Sequence, residues 1–264
     1  MKKRIKIIYL ILIVLVSACK KEASNINQAD KTGLLYQVKY GSEITAEYTY
    51  NESNQILEDK TRVMYTKYNY KDGKLISFDF YIDPGIYSSN WEIANAAMNR
   101  TEWVNPTNTE KDMTRTYFYD GDGKMIKSMA KLNVCEYNYD NKNRIIRETS
   151  YSDNAKIGYT DYIYDDNNNL IKELQYWVFV TGNPELQTTT EYEFDNKHNP
   201  YKAFNVLMMP GLYTNTNNIL KKTYRIYFEV DPSIDTLQIT EDSYSYNSLD
   251  FPVSKNDKVT YIYY

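Results

Sequence analysis

The sequence predicts an all-β protein: tandem antiparallel β-hairpins forming one elongated, twisted meander sheet, with one short helix and with curling of the sheet on itself left open. Three observations predict it. The stretch Tyr137-Asn-Tyr139-Asp140-Asn-Lys-Asn143-Arg144-Ile145-Ile146 recurs with variation along the chain, tyrosine stands at 29 of 264 residues against 8 Phe and 3 Trp, and Gly and Pro are sparse at 9 and 7. Tyrosine suits a pleated, half-buried surface, because its ring packs while its hydroxyl reaches water or a partner. The low Gly and Pro content with ordinary apolar content speaks against global disorder.

The chain begins with a basic run, Lys2, Lys3, Arg4 and Lys6, and a short apolar core from Ile7 to Val16. A spanning helix needs about 20 apolar residues, so residues 1–18 read as a secretory signal. The signal ends Val16-Ser17-Ala18-Cys19, which resembles a bacterial lipobox; the resemblance implies that Cys19 is lipidated and becomes the first mature residue. The partner implied is the lipid bilayer, held by acyl chains rather than by a basic patch. Lys20-Lys21-Glu22, with no aspartate beside the cysteine, resembles outer-membrane lipoproteins, and its acidic residue partly resembles the surface-export signal of Bacteroides-type lipoproteins. Removing the leader takes away four basic residues, leaving 27 of 31 Lys+Arg against 35 Asp+Glu, a formal charge of −8. That charge speaks against a nucleic-acid partner. Residues 19–33 are polar and aperiodic, as a flexible tether would be, and residues 34–264 form the repeat domain.

Copies begin at Tyr48, Tyr68, Tyr117, Tyr137, Tyr162, Tyr192 and Tyr244, and Tyr261-Ile-Tyr263 is a half copy. In each, an aromatic-x-aromatic triplet puts two rings on one face of a strand, since side chains alternate with period two. An Asp or Asn follows, whose side chain bonds the backbone two residues on and starts a type I turn. Three residues later stands a residue suited to positive φ: Asn54, Gly123, Asn143, Asn168 and, in the sixth copy, His198. That spacing fits a turn with a left-handed bulge residue, followed by an apolar return strand. The second copy is shorter, and its Asp72-Gly73 predicts a two-residue turn. Pro200 and Pro252 stand where return strands begin, which confines them to strand starts or edges.

Two excursions interrupt the pattern. Ser89-x-x-Glu92 resembles a capping box, and Trp91, Ala94 and Met98 fall near helical spacing, predicting a short helix near residues 90–99. Val206 to Asn218 reads as a long loop carrying apolar residues, which either serves function or packs over a sheet edge. Binding residues are therefore sought in the 82–110 and 205–220 segments, at Trp91, Trp103, Met208, Met209 and Tyr213.

Tyr-Asp-x-x-Gly-Lys-Met (119–125) and Tyr-Asp-x-x-Asn-Arg-Ile (139–145) resemble the YD repeat of RHS-type and teneurin-type proteins, whose core is Tyr-Asp-x-x-Gly-Arg-Leu. With Asp195-Asn-Lys-His-Asn-Pro-Tyr201 and Asn217-Asn218 as degenerate echoes, most of residues 45–264 resembles the YD-like surface lipoproteins of Bacteroides-type bacteria. Full RHS proteins close many repeats around a cargo, and this chain has too few copies for that.

Little in the chain suggests catalysis. His198 is the single histidine, which leaves no multi-histidine metal site. Asp120-Gly-Asp122-Gly123 and Asp165-Asp166-Asn-Asn-Asn169 are oxygen-rich, as calcium loops are, yet lack the spacing and glutamate of an EF-hand; turn chemistry explains them. With Cys19 acylated, Cys135 has no disulfide partner, and its strand-like setting beside a carboxylate marks it as structural. Glu148, Glu173, Glu191 and Glu193 lie on predicted strands, where alternation with Lys and Thr reads as a solvated face. No phosphate loop or nucleophile elbow is present, and no cofactor is implied. The expectation is a non-enzymatic, outer-membrane lipoprotein presenting a tyrosine-rich β surface to a glycan or envelope protein. The alternative is a surface glycan-binding protein or carbohydrate-active enzyme, recognisable by two carboxylates about 5–10 Å apart in an aromatic-walled cleft.

Overall fold

The computed structural model describes residues 30–179, 182–207, 209–228 and 232–264. Cys19 and Met208 lie outside them. Among the described residues the alternating aromatic runs and their return segments form 17 strands in one antiparallel sheet. In chain order they are β1 (Leu35–Tyr40), β2 (Glu43–Tyr50), β3 (Ile56–Thr61), β4 (Met64–Lys71), β5 (Lys74–Ile82), β6 (Lys111–Tyr119), β7 (Met125–Ala130), β8 (Asn133–Tyr139) and β9 (Ile145–Ser152). Then follow β10 (Ala155–Tyr164), β11 (Leu170–Val178), β12 (Pro184–Phe194), β13 (Ile219–Ile226), β14 (Thr236–Glu241), β15 (Tyr244–Tyr246), β16 (Pro252–Lys255) and β17 (Val259–Tyr263).

Each strand pairs with the next from β1 to β14, and again from β15 to β17. The last strand returns to the first: Val38 of β1 lies opposite Ala46 of β2 on one side and Tyr261 of β17 on the other. The meander is thus curled, and among the described residues a seam lies between β14 and β15, which are successive in the chain, separated by Asp242 and Ser243, and pair with β13 and β16 respectively. Across that seam the Tyr244 hydroxyl donates to the Ile219 carbonyl of β13 at 3.2 Å.

The turns form as their residue types dictate. Asn54, Gly123, Asn143 and Asn168 take φ of 59°, 80°, 61° and 67°, and Asp250 does the same at 62° in the last full copy. In the fourth copy the Asp140 carboxylate accepts from the amides of Lys142 and Arg144, both at 2.9 Å. Asn51, Asp120 and Asn247 make the same pair of bonds. Asp72 and Gly73 both have positive φ, as a two-residue turn requires. Pro252 starts β16, as expected.

The aromatic positions face inward. Tyr48, Tyr50, Tyr68, Tyr117 and Tyr261 are buried in one cluster with Leu35, Ile56, Leu75, Met125 and Ile145. Four of those aliphatic residues open a strand after a turn and Leu75 is the second residue of its strand; burying each contributes about 1.5–3 kcal/mol. The second tyrosine of the following copy then covers it and donates its hydroxyl to its carbonyl. The bonds are Tyr50 to Leu35 (2.7 Å), Tyr70 to Ile56 (2.7 Å), Tyr119 to Leu75 (2.6 Å), Tyr139 to Met125 (2.5 Å), Tyr164 to Ile145 (2.8 Å) and Tyr263 to Pro252 (2.7 Å). These bonds stitch each hairpin to the one before it. The basic residue leaving a turn caps the same ring, with Lys124 over Tyr139 at 4.9 Å and Arg144 over Tyr164 at 4.7 Å.

Three local expectations are corrected. The helix α1 runs Trp91–Met98, and its cap is Asn90, whose side chain accepts from the Glu92 amide, one residue later than the Ser89 box predicts. His198 does not take positive φ; its ring lies 4.9 Å from that of Phe251. Pro200 starts no strand, because the sixth copy's return strand begins at Ile219.

Candidate binding cavity

The sixth copy is opened by an insert. Asp195 occupies the turn position, but its amide donates to the Asn218 carbonyl at 3.0 Å rather than to a residue four positions on. Its carboxylate accepts from the amides of Lys197 (3.0 Å) and Asn218 (2.9 Å), from Asn218 Nδ2 (2.9 Å) and from the Tyr246 hydroxyl. Residues 196–217 are therefore held at their neck by the same bonds that close an ordinary turn.

The insert folds into the mouth of the curled sheet. A 3₁₀ turn over Lys202–Leu207 buries Phe204 and Leu207. The Phe204 ring lies 5.0 Å from Tyr48, 5.6 Å from Tyr201 and 5.5 Å from Tyr213. Asn199, itself buried, ties the insert together: its Nδ2 donates to the carbonyls of Leu212 (2.6 Å) and Asn215 (3.0 Å), and its Oδ1 accepts from the Tyr201 amide (2.9 Å). Asn215 Oδ1 accepts from the Leu170 amide of β11 at 2.8 Å. Its Nδ2 is buried without a partner. A buried donor without an acceptor is costly, about 1–3 kcal/mol.

Beneath the insert is a cavity of about 510 Å³, walled by Tyr192, Tyr201, Tyr244 and Tyr261 and reached by Asn215 and Lys222. Its volume lies in the range of small-ligand sites. Asp242 and Lys255 on its wall pair with each other at 2.7 Å.

The interior also holds carboxylates. Asp59 accepts from the Tyr68 hydroxyl at 2.6 Å and Glu173 from the Tyr192 hydroxyl at 2.7 Å. Desolvation by the surrounding protein raises the pKa of Asp59, Glu148 and Glu173. Glu148 lies near Cys135, whose thiol is pushed up by burial and by that carboxylate. Beside them Arg115 donates to Ser128 Oγ at 3.0 Å, and Ser128 shares a 2.7 Å bond with the Tyr137 hydroxyl. Glu148 and Glu173 thus face inward, against the expectation of a solvated face. Glu191 and Glu193 do face outward, paired with Lys172 and Lys221 at 2.7 and 2.8 Å.

The candidate residues taken from the sequence are not brought together. Alternating antiparallel strands put the 83–110 and 196–217 excursions at opposite rims of the sheet. Trp91 opens α1 with its side chain exposed, Trp103 lies half-buried beyond the helix, and Met209 is exposed on the other excursion. Tyr213 packs in the core against Tyr201 and Phe204. Asp120 spends Oδ1 on the amides of Asp122 (3.1 Å) and Lys124 (2.8 Å), the turn role expected of it. Among the described residues no group of three His, Cys, Asp or Glu is arranged for a metal ion. Of the residues that shape the cavity, Asn215 and Asn218 were signalled only by the asparagine-rich run before β13, and Asn199 only by the degenerate Asp195–Tyr201 echo of the repeat.

No protein-family model matches the chain, and no curated protein matches it significantly. Among solved structures it is similar to a DUF3836 family protein from Parabacteroides distasonis, at 13% identity and a TM-score of 0.26, over 40% of this chain and 91% of that one. It is similar to a porin-like protein from Bacteroides uniformis, at 11% identity and a TM-score of 0.43, over 88% of this chain and 98% of that one. A third likeness is to TcdB2-TccC3, at 14% identity and a TM-score of 0.32, over 78% of this chain and 10% of that one. At these values the likenesses carry no statement about this chain's function.

Proposed function

We propose that the chain is a non-enzymatic lipoprotein of the cell envelope, tethered to the outer membrane through acylated Cys19, whose tyrosine-rich curled sheet is a scaffold for a binding site. The observation that carries this reading is the cavity under the 196–217 insert with the unpartnered Asn215 Nδ2 beside it. The repeat tyrosines support it from the other side: their rings pack inward and their hydroxyls stitch hairpins, so binding belongs where the sixth copy departs from the pattern. The partner is a glycan or envelope protein. Two measurements test the reading. Cys19→Ala releases the protein from membranes, and its persistence in the membrane fraction would contradict the anchor. Asn215→Leu, which removes the orphan donor, weakens capture of envelope glycans by the purified chain; unchanged capture would remove the cavity from the account.

A second reading, a carbohydrate-active enzyme, is favoured by one observation: Glu148 and Glu173 both stand near the Tyr162 phenol and have raised pKa values, as a glycosidase acid requires. That reading predicts hydrolysis of an envelope glycan that E148Q and E173Q each abolish; no turnover by the wild-type chain would end it.

A further inference from the structure

The seam of the sheet exposes an edge that nothing else in the fold uses. β14 pairs with β13 in unbroken register, from Lys221 opposite Glu241 to Ile226 opposite Thr236, and meets no strand on its other side among the described residues. All six of its residues are exposed, Leu237 at 49% and Ile239 at 53%. The Asp242 amide donates to the Leu220 carbonyl at 2.8 Å, which fixes the phase of the ladder. Because hydrogen-bonded pairs alternate along antiparallel strands, the N–H and C=O of Leu237, Ile239 and Glu241 point away from β13.

From Asp242 onward the seam is covered. Asn256 donates its amide to the Ser243 carbonyl at 2.8 Å and its Nδ2 to Asp242 at 2.8 Å. The open stretch is therefore short and sharply bounded. Natural sheets protect such edges with proline, lysine or a bulge, and Thr236-Leu-Gln-Ile-Thr-Glu241 has none of the three.

We propose that β14 is the docking edge for a second copy of this chain, pairing antiparallel about Ile239. The strand's own sequence selects that occupant. The outward-pointing residues are centred on Ile239, so a two-fold axis there sets Ile239 opposite itself and Leu237 opposite the other copy's Glu241. Every outward backbone group then has a partner, about six hydrogen bonds in all. Glu241 is the strand's single charge, and it meets a leucine, so no like charges face each other. Gln238 falls opposite Thr240 on the other face. The arrangement is isologous and stops at two copies, because the same edge is used on both sides.

Disulfide trapping in native membranes tests the pairing, with Cys135→Ser as background. Residues opposite each other in a hydrogen-bonded pair have Cα atoms about 5.5 Å apart, within disulfide reach. Ile239→Cys is expected to give a cross-linked dimer on mild oxidation, whereas Leu237→Cys, which lies opposite residue 241 of the other copy, gives none. Ile239→Pro removes an outward N–H without touching the bonds to β13, and is expected to turn the purified full chain from dimer to monomer with its unfolding midpoint retained. Ile239→Cys chains that stay monomeric, equal cross-linking at 237 and 239, or a dimer that survives Ile239→Pro would each overturn the proposal. So would a strand of another protein found paired to β14.

Discussion

The hairpin of β8 and β9 and the hairpin of β12 and β13 close the same turn over very different lengths of chain. In the first, Asp140 bonds the amides of Lys142 and Arg144, and Ile145 begins the return strand. In the second, Asp195 bonds the amides of Lys197 and Asn218, and Ile219 begins it, with residues 196–217 looped out between. The turn needs an acid, an amide two residues on and an amide at the head of the return strand; it does not need the two amides to be neighbours. Loop-closure entropy grows slowly with length, and burial of Phe204 and Leu207 offsets it. What the sixth copy gives up is a stitch. Phe194 stands where other copies have a tyrosine hydroxyl, so no aromatic of that copy donates to the Leu170 carbonyl, and Asn215 takes the Leu170 amide instead.

Four changes break or sharpen this comparison. The largest effect is expected from Phe204→Ala, which removes the ring that plugs the mouth and should cost about 3–5 kcal/mol in urea unfolding; a change under about 1 kcal/mol would mean that the insert only rests on the sheet. Next, Asp195→Ala should destabilise more than Asp140→Ala, by about 0.5–1.5 kcal/mol. Its second oxygen ties the far end of the insert and the next copy through Asn218 Nδ2 and Tyr246, whereas that of Asp140 pairs only with Arg144 of its own turn, at 2.8 and 2.7 Å. Equal losses would show that the long turn needs no extra fastening.

Alkaline titration compares the two regions without changing packing. Burial pushes the Tyr139 phenol of the regular copy and the Tyr201 phenol of the insert both up to about 12. Unfolded tyrosine ionises near pH ~10, so the folded state keeps protons that the unfolded state loses. The resulting stabilisation is fully present below about pH 10 and is lost as pH rises toward 12. Phenolate absorbance, wild type minus Tyr201→Phe, should show Tyr201 still neutral at about pH 11; ionisation near 10 in folded protein would make the insert a loose cover. The smallest effect is Phe194→Tyr, which restores the missing hydroxyl opposite the Leu170 carbonyl and should stabilise by about 0.5–1.5 kcal/mol, mirroring the loss from Tyr139→Phe. A neutral or destabilising result would show that the sixth copy cannot reach its predecessor.

The turns were legible because their chemistry is local. An acid, its two amides and a left-handed residue lie within five positions, so Asn54, Gly123, Asn143 and Asn168 could be placed from spacing alone. The destination of each tyrosine hydroxyl was not, since Tyr119 reaches Leu75, 44 positions back. Nor was the return of β17 to β1, for which no local signal exists. The misplacement of Glu148 and Glu173 has a definite cause. Counting by two from Ile145 and Leu170 sends both outward, but Ile146 and Ile171 are bulge residues, shown by the register jumps at Tyr139 and Tyr164, and each bulge flips the rest of its strand. The cavity was half-visible: the asparagine run before β13 marked the place, while the partner that orients Asn215 lies on β11.

The central claim is that the repeats curl until the last strand pairs with the first. Amide hydrogen exchange of the full chain tests it directly. The account predicts that residues 35–40 and 259–263 exchange as slowly as β8 and β9, because each amide of that pairing opens only with the sheet. Exchange of the 259–263 amides at the rate of unstructured chain would contradict it.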